Sequence, residues 1–313
     1  MSRTRRSRLL VVLAAGTLVL LAVASLSGCG RSGTPAGAEA RGRLQVVAAE
    51  NFWGSIAAQL GGEKADVTSI IVNPATDPHS YEPTALDARK LAGAQMAIVN
   101  GLGYDPWAPR LLRASPSGNR VELDVGKALG LADGANPHQW YSPSSVRRVL
   151  DAIVAGYERL DPSAASYFAR RERDFLTHDL ARYDALRREI RERYAGTAVG
   201  YSESIFQPLG EDLQLKLLTP YSFAKAIAEG NEVTAQDKQA VDDQARKRLI
   251  KIWVFNSQNV TPDVQRVNEI ARERRIPTVT VTETLSPAGY SFEQWQSAQL
   301  EGLARALHEA TGR

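Results

Sequence analysis

Residues 163–194 run for 32 positions without a proline or a glycine, and this stretch constrains the fold more than any other feature of the chain. Nothing in it interrupts a helix, which at 1.5 Å per residue would reach roughly 48 Å. Its charges are frequent and mixed in sign, as in Ala-Arg-Arg-Glu-Arg-Asp-Phe and Arg-Arg-Glu-Ile-Arg-Glu-Arg-Tyr. That pattern belongs to a largely solvated helix with one apolar stripe, here Phe168, Phe175, Leu180 and Leu186. A coiled coil would need a sustained heptad, and none persists. The expectation is one long helix that joins two lobes as a strut.

On either side of it, short apolar runs alternate with helical segments. Before it, 44–49, 67–72, 96–100 and 121–125 read as strands, and 51–60, 83–91 and 144–160 read as helices. Pro83 is expected in the first turn of its helix. After it, 197–201, 215–218, 250–255 and 278–282 read as strands. Helices follow near Phe206 and at 234–248, 261–274 and 292–310. Strands that alternate with helices imply a parallel sheet covered on both faces. The fold class is therefore α/β, with two lobes, each a mainly parallel sheet flanked by helices. The boundaries are 44–162, 163–194 for the link, and 195–313.

The N-terminus has a different character. Residues 1–8 are basic, 9–26 carry no charge, and Leu26-Ser27-Gly28-Cys29 follows. These are the parts of a signal peptide spanning 1–28. The apolar run is also near the length of an anchor helix, which is the alternative reading. Cys29 is the only cysteine in the chain, so it has no partner for an intramolecular disulfide. Residues 29–43 are rich in Gly and Ala and poor in large apolar side chains, which suits a flexible tether. The formal net charge of +3 also belongs here. Without the four arginines of the first 28 residues, 34 basic residues face 35 acidic ones, and no nucleic-acid role is expected.

The chain has four histidines. His79 lies in Asp77-Pro78-His79-Ser80-Tyr81-Glu82-Pro83, between a strand and a helix. His138 lies in Asn136-Pro137-His138-Gln139-Trp140, in a loop before a helix. Glu203 and Glu283 follow strands in the second lobe. Ligands of open α/β sheets bind beyond the carboxyl ends of the strands. Two imidazoles and two carboxylates from four loops, two per lobe, suit a divalent cation: neutral nitrogen donors hold it, and the carboxylates offset its charge. His178, in the long charged stretch, and His308, in the last helix, read as solvated faces. Glu50 and Glu82 border helices and are expected at their N-termini. Trp140 is placed to shield the site.

These motifs resemble the metal-binding solute-binding proteins of ABC transporters for zinc, manganese or iron. The resemblance runs from about residue 44 to 310. The His79 and His138 motifs match that family's first two ligand motifs, and Asn100-Gly101-Leu102-Gly103 is similar to its strand-end motif. Ser202-Glu203-Ser204-Ile205-Phe206 lies where its third ligand sits. Glu283-Thr284-Leu285 stands where the family usually has Asp-Pro-Leu, so the fourth position departs from the pattern. At Asn256 many relatives carry an acidic residue, and here a supporting or loop-capping role is expected. Leu-Ser-Gly-Cys likewise resembles a bacterial lipobox, in which Cys29 would be lipidated and become the new N-terminus. The resemblance implies an exported lipoprotein anchored to the outer face of the cell membrane. It would be monomeric, not an enzyme, and served by a permease and an ATPase.

The candidate site has no thiolate, and the chain has only two methionines, so sulfur-seeking copper is not expected. Two nitrogens and two carboxylates suit zinc or manganese, with iron also compatible. Some zinc-specific members of that family carry a histidine-rich loop between the first two ligand motifs; here no histidine lies between His79 and His138, and the resemblance therefore implies something other than a dedicated zinc scavenger. Two other functions fit a metal site: a metal-dependent hydrolase with Glu283 as base, or a surface adhesin. The chain has no His-Glu-x-x-His run and no Gly-x-Ser-x-Gly elbow.

Overall fold

The structure is a computed structural model that describes residues 42–76, 78 and 81–313. The signal segment 1–28, Cys29, most of the tether and His79 lie outside the described residues.

The first lobe begins with β1 (Leu44–Glu50), α1 (Asn51–Gly61), β2 (Ala65–Ile71) and α2 (Ala85–Gly93). It continues with β3 (Met96–Val99), α3 (Trp107–Ala114), β4 (Val121–Asp124), α4 (Val125–Ala128) and α5 (Pro143–Leu160). All its strand pairs are parallel, in the order β2-β1-β3-β4. Buried on both faces, β1 and β3 are almost wholly apolar, as a covered parallel sheet requires. Pro83 falls outside α2, which starts instead at a capping box. Thr84 Oγ1 accepts from the Asp87 N–H (3.3 Å), and Asp87 accepts from the Thr84 N–H (2.8 Å).

The linking stretch is helical but is not one α-helix. α6 (Ala165–Asp174) passes into a π-helical turn, Phe175–Asp179, before α7 (Ala181–Tyr194). The Leu180 N–H reaches the Phe175 carbonyl at 2.9 Å, one residue beyond the α-helical partner. The spacing of the stripe explains the turn. Phe175 and Leu180 are five residues apart, which in an α-helix would set them about 140° out of line. One wider turn returns both to the core side, where they are 0% and 1% exposed.

The second lobe contains β5 (Ala198–Tyr201), α8 (Gln207–Asp212), β6 (Lys216–Leu217), α9 (Tyr221–Ala228) and α10 (Ala235–Arg246). It ends with β7 (Ile252–Asn256), α11 (Pro262–Glu273), β8 (Thr278–Val281) and α12 (Phe292–Thr311). Its sheet is again parallel, in the order β6-β5-β7-β8, which repeats the winding of the first. In each sheet the winding reverses beside the first strand, between β1 and β3 and between β5 and β7. Such a reversal opens a crevice at the carboxyl ends of the strands.

One continuous apolar core joins the lobes, running from Val46 and Phe52 through Trp140 and Tyr183 to Val254, Val281 and Trp295. Polar contacts add to it. Tyr141 Oη donates to the Thr282 carbonyl at 2.8 Å, and Gln59 Nε2 to Glu293 Oε2 at 2.9 Å. Shared packing of this kind resists wide opening.

Candidate metal centre

In the first lobe Asn100 follows β3. Its Oδ1 accepts from Trp53 Nε1 at 2.9 Å, and its Nδ2 donates to the Pro137 carbonyl at 3.0 Å. That second bond ties down the loop that carries His138. The following Gly101, Leu102 and Gly103 all have positive φ. Gly101 cannot be replaced without strain, because a Cβ there would lie 2.4 Å from Asp124 Oδ1. The turn aims the N–H groups of Asn100 and Gly101 at Asp105, at 2.7 and 2.8 Å.

His138 is 1% exposed. Its Nδ1 lies 2.7 Å from Asn136 Oδ1. With the proton on Nδ1 shared to that amide oxygen, the lone pair sits on Nε2, the tautomer a metal ligand needs. Asn136 also reaches across the lobes, donating from Nδ2 to the Ser204 carbonyl at 2.8 Å. Trp140 packs beside His138. It is wholly buried, stacks on Phe52 at 3.9 Å, and stands edge-on to the His138 ring at 5.2 Å.

Glu203 follows β5 and is also 1% exposed. Asn259 Nδ2 donates to its Oε1 at 3.0 Å. Glu283 follows β8, half-buried, and is held from both lobes. Asn256 Nδ2 donates to its Oε1 at 3.1 Å, and Tyr104 Oη to its Oε2 at 2.8 Å. Asn256 therefore supports a carboxylate. It also caps its own loop, where its Oδ1 accepts from the Gln258 N–H at 2.9 Å.

Tyr104 is the common neighbour of the described candidates. Its ring centre lies 5.9 Å from that of His138. Burial first, then the charges of Glu283, Glu50 and Glu203, holds its phenol well above the usual tyrosine range. Among the described residues no group of three or more His, Cys, Asp or Glu side chains forms a metal-holding cluster. His79, the fourth candidate, lies outside them. His178 and His308 are exposed, as read from the sequence.

Two expectations at helix starts fail. Glu82 is exposed, and Thr84 takes the capping role. Glu50 ends β1 and precedes α1, yet its side chain caps nothing. It is 0% exposed, and neither carboxyl oxygen has a well-formed hydrogen bond among the described residues. Burial, and then the neighbouring Asp105 carboxylate, holds its carboxyl well above the usual range. Asp105 is itself raised to about 6, mainly by burial and against three backbone N–H contacts that lower it. The side chains that sequence reading did not single out are Tyr104, Asp105 and Asn259. The one local sign was a Tyr-Asp pair directly after the glycine turn.

The model of the periplasmic zinc-uptake complex component A family, ZnuA, matches residues 46–306. The chain belongs to that family. Among curated relatives, the manganese-binding lipoprotein MntA of Bacillus subtilis is 24% identical over 92% of this chain and 94% of its own length. The iron-binding protein YfeA of Yersinia pestis is 24% identical over 78% and 71%. The MntA of Halalkalibacterium halodurans is 29% identical over 51% of this chain, which spans about half of that relative's length (54%). The fold is shared with a periplasmic metal-binding protein from Candidatus Liberibacter asiaticus. The TM-score is 0.71 at 19% identity, covering 85% of this chain and all of the other. The departures at Glu283 and Asn256 read from the sequence therefore stand within a family fold: one supplies a carboxylate and the other supports it.

Proposed function

We propose that the chain captures one divalent transition-metal ion between its lobes and delivers it to a membrane transporter. His79, His138, Glu203 and Glu283 are the proposed ligands. The observation that carries this reading is the support given to the three described ligands. Asn136 orients His138, Asn259 holds Glu203, and Asn256 and Tyr104 hold Glu283. Outer partners of this kind orient metal ligands and tune their basicity. Two carboxylates and neutral imidazoles also balance a divalent charge, which makes burying the ion tolerable. Zinc and manganese both suit this donor set, and iron is compatible.

In the same reading Cys29 carries a lipid that anchors the exported, monomeric protein to the outer face of the cell membrane, beside a permease and an ATPase. The relative from Streptococcus anginosus is named as a manganese ABC transporter substrate-binding lipoprotein, PsaA. A hydrolytic site needs a carboxylate kept in reserve as base. Both oxygens of Glu283 are engaged as acceptors, which favours holding over catalysis.

Elemental analysis of protein purified without added metal, followed by competition between zinc and manganese, tests the cargo. Calorimetry should find one ion per chain in the wild type and severe loss in His138→Ala and Glu203→Ala. Wild-type affinity in both variants overturns the ligand assignment. Loss of the gene should give a growth defect rescued by excess metal; normal metal uptake would point to an adhesin instead.

A further inference from the structure

β8 is the outermost strand of the second sheet, with β7 on one side only. In a parallel ladder alternate residues turn their N–H and C=O groups toward the neighbouring strand. The Trp253 N–H donates to the Pro277 carbonyl at 3.0 Å, and the Ser257 N–H to the Val281 carbonyl at 3.0 Å. The odd-numbered residues of β8 therefore serve β7. Thr278 and Thr280 turn their backbone groups to the open side, and both residues are exposed.

Among the described residues this edge pairs with no further strand, and β8 itself, Thr-Val-Thr-Val, carries no lysine to blunt it. Instead α11 and α12 rise on either side of it, and the strand edge forms the floor of a groove of about 1040 Å³. The rim is basic. Arg272, Arg275 and Arg305 line it, all exposed, and none forms an ion pair among the described residues. Glu309 is the acidic residue of the lining.

We infer that the open edge of β8 docks an extended, acidic segment of a protein partner, which adds to the sheet as a fifth strand. Backbone pairing with Thr278 and Thr280 supplies the affinity, and the three arginines select acidic side chains. The charge pattern decides the occupant. A second copy paired edge to edge would bring arginine against arginine. The chain's own residues 29–43 hold three arginines and one glutamate, so they carry the wrong sign. None of the four proposed metal ligands lines the groove, and metal binding serves as the check that each variant is folded.

The probe is a labelled short peptide alternating Glu with Val, titrated against the purified protein by fluorescence anisotropy. Two control peptides carry Lys in place of Glu, or Pro at alternate positions with the acidic residues kept. Both controls should bind at least about tenfold more weakly. Arg272→Glu combined with Arg305→Glu should weaken the Glu-Val peptide by a similar factor while metal binding is retained. Amide hydrogen exchange at Thr278 and Thr280 should slow at least about tenfold on peptide addition. The proposal is overturned if the Glu-Val peptide does not bind. It is also overturned if the Pro-interrupted peptide binds equally well, since that is charge attraction without strand pairing. Unchanged exchange at Thr278 and Thr280 would have the same consequence.

Discussion

Replacing Glu50 by Gln should make the metal-free protein more stable at neutral pH and flatten its pH dependence. Glu50 is fully buried, has no well-formed hydrogen bond among the described residues, and stands beside the Asp105 carboxylate. Its carboxyl is thereby raised well above the ordinary 4.5. The folded state keeps the proton where the unfolded state gives it up. A carboxyl with a raised folded pKa stabilises the fold in its protonated form, so that stability is lost as pH rises above the unfolded value. The penalty grows with pH for as long as the folded carboxyl keeps its proton, on the order of 1 kcal/mol for each pH unit. An amide of the same shape has no proton to lose. Urea unfolding in the presence of a chelator measures this. The wild-type midpoint should fall more steeply between pH 5 and 7 than that of Glu50→Gln. Asp105, raised to about 6, should leave a smaller slope of the same sign in the variant. Parallel midpoints across that range would mean that Glu50 ionises normally in the folded protein, and the reasoning would fail.

Asn136→Ala removes the acceptor at His138 Nδ1 and the tie to Ser204, and should lower metal affinity about 10- to 100-fold by calorimetry. Gly101→Ala forces a side chain onto a backbone with φ of 70° and against Asp124. It should destabilise the fold by about 2 kcal/mol or more in urea unfolding. Zinc or manganese at about 100 times its dissociation constant should stabilise the wild type by about 2.7 kcal/mol and leave His138→Ala unmoved, read as a shift in melting temperature. Metal affinity should fall on acidification, because a protonated imidazole cannot ligate; affinity independent of pH would argue against histidine donors.

The strands were legible because covered parallel sheets need apolar, β-branched runs, and 44–49, 96–100 and 250–255 come close, with one polar residue each (Gln45, Asn100 and Lys251). The linking stretch was legible as helix, since it lacks any breaker. Its π turn escaped notice because it satisfies a packing demand on Phe175 and Leu180 that arises only when both face one core. Three short helices, Trp107–Ala114, Val125–Ala128 and Tyr221–Ala228, carry too few turns for a periodic signal.

The site divides in the same way. The proposed ligands His138, Glu203 and Glu283 were singled out from motif and position: His138 from its Asn-Pro-His loop, and the two glutamates because they follow strands, where ligands of α/β sheets gather. Their supports could not. Tyr104 meets Glu283 across 179 positions of chain, and Asn259 meets Glu203 across 56. The character of Glu50 was misread for the same reason: at a strand-to-helix junction its local neighbours suggest a cap, while burial and Asp105 decide its charge. Local sequence sets backbone preference and apolar pattern, which act over a few residues. Hydrogen-bond partners, burial and electrostatic neighbours are set by which loops the two sheets bring together, and that was decided only by the tertiary structure.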